Sequence, residues 1–236
     1  MCGGYTTPDG WQELRIEFAT TAHQLERCWA VRPFDAATIV TQGTDDDGPV
    51  ARRADQWSLV PHFAKERRLK YSTFNARLDK LTSSGIWRSA FPSRRCLVPA
   101  DGFFERVPEP GAEKKRPYYV RFRDRAPFFF AGLWSEWADP KTGEVLTTFT
   151  VVTTDNNALM ERIGHPRMPA IVHDDVRGLW LDPTCDDTDA LVRAIAAPVP
   201  GNLLDAVPVS HKVNYRNEHG PDIVEPIGDA VTVDAA

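Results

Sequence analysis

Apolar and polar positions fall into several strand-like stretches in the middle of the chain. Tyr118 to Phe122 alternates, Pro127 to Trp134 (PFFFAGLW) is a continuous apolar run, and Thr147 to Thr153 (TTFTVVT) is dense in β-branched residues. These patterns predict strands, the continuous run being one buried on both faces. PKTGE, at Pro140 to Glu144, falls between two of them and reads as a hairpin loop. Helical periodicity is rarer and suits Thr21 to Ala30, Arg77 to Thr82, Asn156 to Ile163 and Asp186 to Ala197. Strands and helices mix without a regular βαβ repeat, and neither GxGxxG nor a P-loop occurs. The pattern predicts an α+β domain with a largely antiparallel sheet.

No internal repeat interrupts this reading, and the Pro/Gly-rich stretches (Gly43 to Pro49, Pro108 to Gly111, Pro198 to Gly201) are loops rather than a hinge. One domain to about Ile227 is expected, with Gly228 to Ala236 as a flexible tail. A chain of 236 residues buries a sizeable core. The first twenty residues have no basic segment followed by a long apolar one. The densest apolar run, Phe128 to Trp134, is too short to span a bilayer, so a cytoplasmic protein with no membrane partner is expected. Cys2, Cys28, Cys96 and Cys185 form no CxxC pair and no metal spacing with histidine, which predicts free thiols and no metal site. The net charge of −5 argues against broad nucleic-acid binding, yet KERRLK (Lys65 to Lys70), SRR (Ser93 to Arg95) and RFRDR (Arg121 to Arg125) concentrate positive charge locally.

Candidate chemistry sits where polar residues enter apolar or turning stretches. The chain opens MCGG, and removal of the methionine would leave Cys2 with a thiol and a free α-amine on adjacent carbons. Asn75 and Arg77, in FNARLDKL, precede a helical pattern, so Asn75 is a candidate site residue or an N-cap. In RRCLVPADGFFERV an apolar run reaches a turn at Asp101-Gly102, and Glu105 follows two phenylalanines. A carboxyl in such low-dielectric surroundings can exchange protons near neutrality; alternatively it pairs with Arg106 or Arg121. His165, in ERIGHPRMPAIV, lies in a short loop before a strand, as a titrating group or a surface residue. Trp57 reads as core, and Phe63, in the loop that follows it, as a stacking surface.

The order MCG, WSLVPHFAKE, FNAR, RRCLVPADGFFE, PYYVR, FAGLW, FTVVTTDNNALM, HPRMPAIV, PVSHKVN and IVEPI resembles the SRAP family, the SOS response-associated peptidases or abasic-site processing proteins, from Cys2 to about Ile227. The resemblance implies a single α+β domain with a barrel-like β core flanked by helices. It also implies a monomeric DNA-repair protein, without cofactor, that binds single-stranded DNA and captures an abasic site through Cys2. Carried over residue by residue, the catalytic set is Cys2, Asn75, Glu105 and His165. Arg77 and Arg167 become phosphate contacts, and Phe63, Pro33 and Thr154 further DNA contacts.

The implied chemistry suits the residue types. An abasic sugar opens to an aldehyde, and an α-amine, with a pKa of about 7.7–8.0, is partly neutral at pH 7 where lysine is not. The amine forms a Schiff base, and the thiol closes a thiazolidine in an intramolecular step. Glu105 and His165 move protons and Asn75 holds the amine, while Gly3 and Gly4 give the backbone room to turn. The chain departs from the family in having Gly4 where an arginine is usual, Arg106 where a tryptophan is usual, and no asparagine in WAVRP (Trp29 to Pro33). Arg106 is expected to replace the lost phosphate contact. MCG also opens class II glutamine amidotransferases, and a non-catalytic single-strand binding module is a further alternative. No separate Ser/His/Asp arrangement stands out, so the peptidase label is expected to mean at most self-removal of Met1.

Overall fold

A computed structural model describes residues 2–18, 24–43 and 48–235. In chain order the strands begin with β1 (Tyr5–Thr7), β2 (Cys28–Val31), β3 (Ala37–Gln42), β4 (Pro49–Ala54), β5 (Gln56–Trp57) and β6 (Asn75–Arg77). They continue with β7 (Arg95–Ala100), β8 (Gly102–Val107), β9 (Arg116–Phe122), β10 (Phe128–Ala138) and β11 (Val145–Asp155). The last third carries α1 (Ala158–Arg162), β12 (Arg167–Pro169), β13 (Ile171–Val172), α2 (Arg177–Leu181), α3 (Thr188–Ala196) and β14 (Leu204–Pro208). The α+β class and largely antiparallel pairing follow the expected pattern, with few and short helices.

Two sheets share the strands. One is ordered β14-β9-β8-β1-β2; the other runs β12-β11-β10-β7-β3-β4, with β13 on β10 and with β5 and β6 on β11. The chain crosses between sheets at Asp101, which separates β7 from β8. Alternation explains the apolar run in β10: Phe128 and Phe130 enter the core between the sheets, while Phe129, Ala131 and Leu133 enter a second core under the helices. Tyr5, Trp57 and Phe130 lock the first core edge-to-face, with ring centroids 5.1 and 5.8 Å from Tyr5. α3 buries Leu191 and Ile195, four residues apart, in the second core.

The join between β10 and β11 positions the site. The two strands pair from Ala138–Val145 to Gly132–Val151 and then part, and residues 167–172 enter the gap. Ala170 bridges both sides: its N–H donates to Val152 (2.9 Å) and its carbonyl accepts from Ala131 (2.8 Å). β11 also takes β6 in parallel, Val151 facing Asn75 and Thr153 facing Arg77.

Several expectations change. The helix expected over Thr21 to Ala30 lies partly outside the described residues, and its end is a strand: Cys28–Val31 pairs with β1, and the Cys28 N–H donates to the Thr7 hydroxyl. Arg77 to Thr82 is a strand end and a 3-10 turn over Leu78–Lys80, because β11 claims Asn75 to Arg77. Asn75 is therefore a strand residue and not an N-cap. Asn156 to Ile163 shortens to α1, capped by Asn157, and Asp186 to Ala197 to α3, capped by Asp187. Residues 228–235, expected as a flexible tail, are tied down instead. Val231 exchanges two backbone hydrogen bonds with Ala206 (2.8 and 3.0 Å), and Val231 and Val233 pack on the first core.

Candidate active site

Cys2 precedes β1 at the mouth of the core and is fully buried. Its thiol donates to the Gly4 carbonyl at 3.4 Å. Burial, and then the charge of Glu105, push the thiol pKa well above the ordinary range. β6 brings Asn75 to it: the Asn75 amide donates from Nδ2 to the Cys2 carbonyl at 2.7 Å. Asn75 is itself buried, and its Oδ1 has no hydrogen-bond partner among the described residues.

β8 supplies the carboxyl. Its alternation turns Phe103 into the first core and Phe104 to the opposite face, which leaves Glu105 on the inner side and 1% exposed. Neither Arg106 nor Arg121 pairs with it. Arg106 donates from Nε to Asn214, Arg121 pairs with Asp205 at 3.1 Å, and Glu105 meets His165, Oε2 lying 3.0 Å from Nε2.

His165 owes its place to the end of α1. Gly164 adopts φ +82°, its N–H donates to Glu161 (2.8 Å), and the His165 N–H donates to Met160 (2.8 Å). This pair of bonds is a Schellman motif, and the glycine in ERIGHP is its signal in the sequence. Asn156 steadies the loop by donating from Nδ2 to the His165 carbonyl at 3.1 Å. Sequence reasoning missed Asn156; its only signal was a second polar residue beside the Asn157 cap. Nδ1 of His165 lies 2.6 Å from the Arg167 carbonyl. A carbonyl only accepts, so Nδ1 carries the hydrogen of this bond, and Nε2 is the ring nitrogen that faces Glu105.

The expected DNA contacts divide. Arg77 is exposed and bidentate to Asp79 (2.9 and 2.8 Å). Arg167 is half-buried, donates to the Thr153 carbonyl at 2.5 Å and pairs with Asp155 at 3.5 Å. Burial, with Arg77 close by, lowers its pKa. Phe63 is 55% exposed, and Pro33 is half-buried. Thr154 does not join them: it is 3% exposed, and its hydroxyl donates to Ala196 at the end of α3 (2.9 Å), because strand alternation turns it away from Thr153.

The departures at positions 4 and 106 also have a physical setting. A Cβ at Gly4 would sit 3.2 Å from the Phe104 ring, so the glycine lets β1 pack on the second phenylalanine of GFFE. Arg106 is half-buried, and desolvation lowers its pKa while Cys2 and Glu105 oppose the shift. Among the described residues no cluster of three His, Cys, Asp or Glu side chains offers a metal site.

Fold and site together define an α+β protein in which a buried cysteine at position 2 is held by an amide beside a carboxyl and an imidazole 3.0 Å apart. The family model described as SOS response associated peptidase (SRAP) matches residues 1–216. Abasic site processing protein YoqW of Bacillus subtilis is 31% identical over 231 residues, covering 95% of this chain and 99% of its own length. YoaM, of the same name class and organism, is 32% identical over 230 residues, covering 95% and 98%. HMCES of Xenopus tropicalis is 32% identical over 200 residues, covering 74% of this chain and 57% of that protein. A solved structure of a Bacteroides thetaiotaomicron protein matches with a TM-score of 0.73 at 23% identity, covering 96% of this chain and 99% of that one, which supports the fold. The chain belongs to the SRAP family.

Proposed function

We propose that this protein processes abasic sites in single-stranded DNA by forming a covalent thiazolidine through Cys2 once Met1 is removed. The observation that carries the reading is the convergence on Cys2 of the Asn75 amide, at 2.7 Å from its carbonyl, and of Glu105, 3.0 Å from His165. The relatives named abasic site processing proteins supply the substrate class. Removal of Met1 is the only peptidase step in this reading, and the protein acts as a cytoplasmic monomer.

The neutral α-amine attacks C1′ of the ring-opened sugar, forming a C–N bond, and the carbinolamine loses water to give an imine. The shared proton of Glu105 and His165 assists the departing hydroxyl. Sulfur then adds to the imine carbon, and the thiol proton passes to nitrogen as the five-membered ring closes. Burial raises the pKa of the Cys2 thiol, which favours the protonated thiol and the amine as first nucleophile. Asn75 fixes the Cys2 backbone through Nδ2, and its Oδ1, unpartnered among the described residues, is an acceptor for the amine. Phosphates replace Asp79 and Asp155 on Arg77 and Arg167, because exchanging one exposed ionic partner for another costs little. Arg106 adds a further cation beside Cys2.

The test is incubation with a single-stranded oligonucleotide carrying one abasic site, followed by a denaturing gel. A heat-stable adduct that disappears in Cys2→Ala supports the proposal. No adduct from wild-type protein whose mass shows Met1 removed overturns it.

A further inference from the structure

Phe34 stands out from the other exposed aromatics. It is 49% exposed, and its backbone lies at φ +76°, where a bulky side chain is an outlier. No ring contact compensates: among the described residues its ring neither stacks on another nor carries a cation. The backbone around it is nevertheless firmly held. The Phe34 N–H donates to Trp57 (2.7 Å), and the Trp57 N–H donates to Asp35 (2.8 Å). The Asp35 carboxylate accepts from the Arg32 N–H (2.9 Å) and from Arg216 (2.5 Å). Strain that the surroundings over-determine, with no internal use for the side chain, points outward to a ligand.

The location identifies that ligand. Tyr5 pairs with Val31 in antiparallel register, which sends Cys2 and Phe34 to the same end of their sheet. Trp57, whose backbone clamps Phe34, donates from its indole to the Phe74 carbonyl (2.7 Å), next to Asn75, the residue that holds Cys2. An abasic site leaves the neighbouring base with one face lacking its stacking partner. We infer that Phe34 is a stacking residue that covers the exposed face of the nucleobase flanking the abasic sugar. The inference rests on the single-strand reading above and adds to it a contact specific to this chain.

The experiment measures equilibrium binding of Phe34→Asn and Phe34→Tyr to a labelled single strand carrying a tetrahydrofuran abasic analogue, which cannot crosslink, together with thermal melting. Asparagine tolerates the left-handed conformation, so Phe34→Asn is expected to melt about 2–4 °C higher. The same variant is expected to bind roughly 5- to 150-fold more weakly, the range spanned by loss of one base–aromatic stack. Phe34→Tyr keeps wild-type affinity. With the bases on both sides of the lesion also removed, wild type and Phe34→Asn bind alike. Unchanged affinity in Phe34→Asn while wild type binds overturns this inference alone, as does a lowered melting temperature, which would make Phe34 a packing residue. Failure of wild type to bind the strand overturns the single-strand reading and this inference with it.

Discussion

The Arg167 carbonyl, 2.6 Å from Nδ1 of His165, accepts and never donates, so it fixes the imidazole tautomer and directs Nε2 at Glu105. In the proposed reaction Glu105 and His165 act as one proton-carrying unit. Replacing either partner removes the shared proton, and the two losses do not add. Glu105→Gln and His165→Gln are each expected to slow adduct formation about 10²- to 10⁴-fold, the usual span of general acid–base catalysis. The double variant should be no slower than the worse single one. Single-turnover rates with saturating abasic oligonucleotide check this; independent, multiplying losses would separate the two residues. Glu105 was legible in the sequence as a carboxyl behind two aromatics, but its partner was not. Sixty positions separate it from His165, and local pattern carries no information on which strand and which helix end meet.

At the scale of elements, the end of α1 carries the imidazole, and one glycine makes that end possible. Gly164 sits at φ +82°, and an added Cβ would lie 3.4 Å from Val107, so the cost of Gly164→Ala is mainly conformational. That cost is roughly 1–2 kcal/mol, or a fall of about 2–8 °C in melting temperature for a chain of this length. Because His165 is the next residue, adduct formation should slow as well. Gly143→Ala is the control: φ is +75° in the β10–β11 hairpin, with open space around the position. It should lose similar stability and keep the wild-type adduct rate. Equal slowing in both variants would mean that general destabilisation, not the placement of His165, is responsible.

Element types were legible where the signal is local. The apolar run of β10, the β-branched run of β11 and the PKTGE loop all stand as read. β6 was not legible, because Asn75 to Arg77 becomes a strand through parallel pairing with β11, about 75 positions away in the chain. Thr154 shows the same limit at one residue. Its motif places it among DNA contacts, whereas the alternation of β11 turns it toward α3.

Across the whole molecule, β14 is the outer strand of its sheet, and its edge is closed by the C-terminal segment. Ala206 exchanges both backbone hydrogen bonds with Val231. Val233 approaches Gly201, where a Cβ would also lie 2.8 Å from the Leu159 nitrogen of α1, so the segment, the turn before β14 and the helix that carries His165 meet at one point. Polar composition hid this: GDAVTVDAA has the look of a fraying end, and only the alternation of Val231 and Val233 hints at a strand. Deleting residues 228–236 removes two half-buried valines and two hydrogen bonds, on the order of 3 kcal/mol in total. A fall in melting temperature of about 6–12 °C is expected, together with slower adduct formation as α1 loosens. A truncated protein that melts and reacts like the full chain would show that the segment lies on the surface without supporting the site.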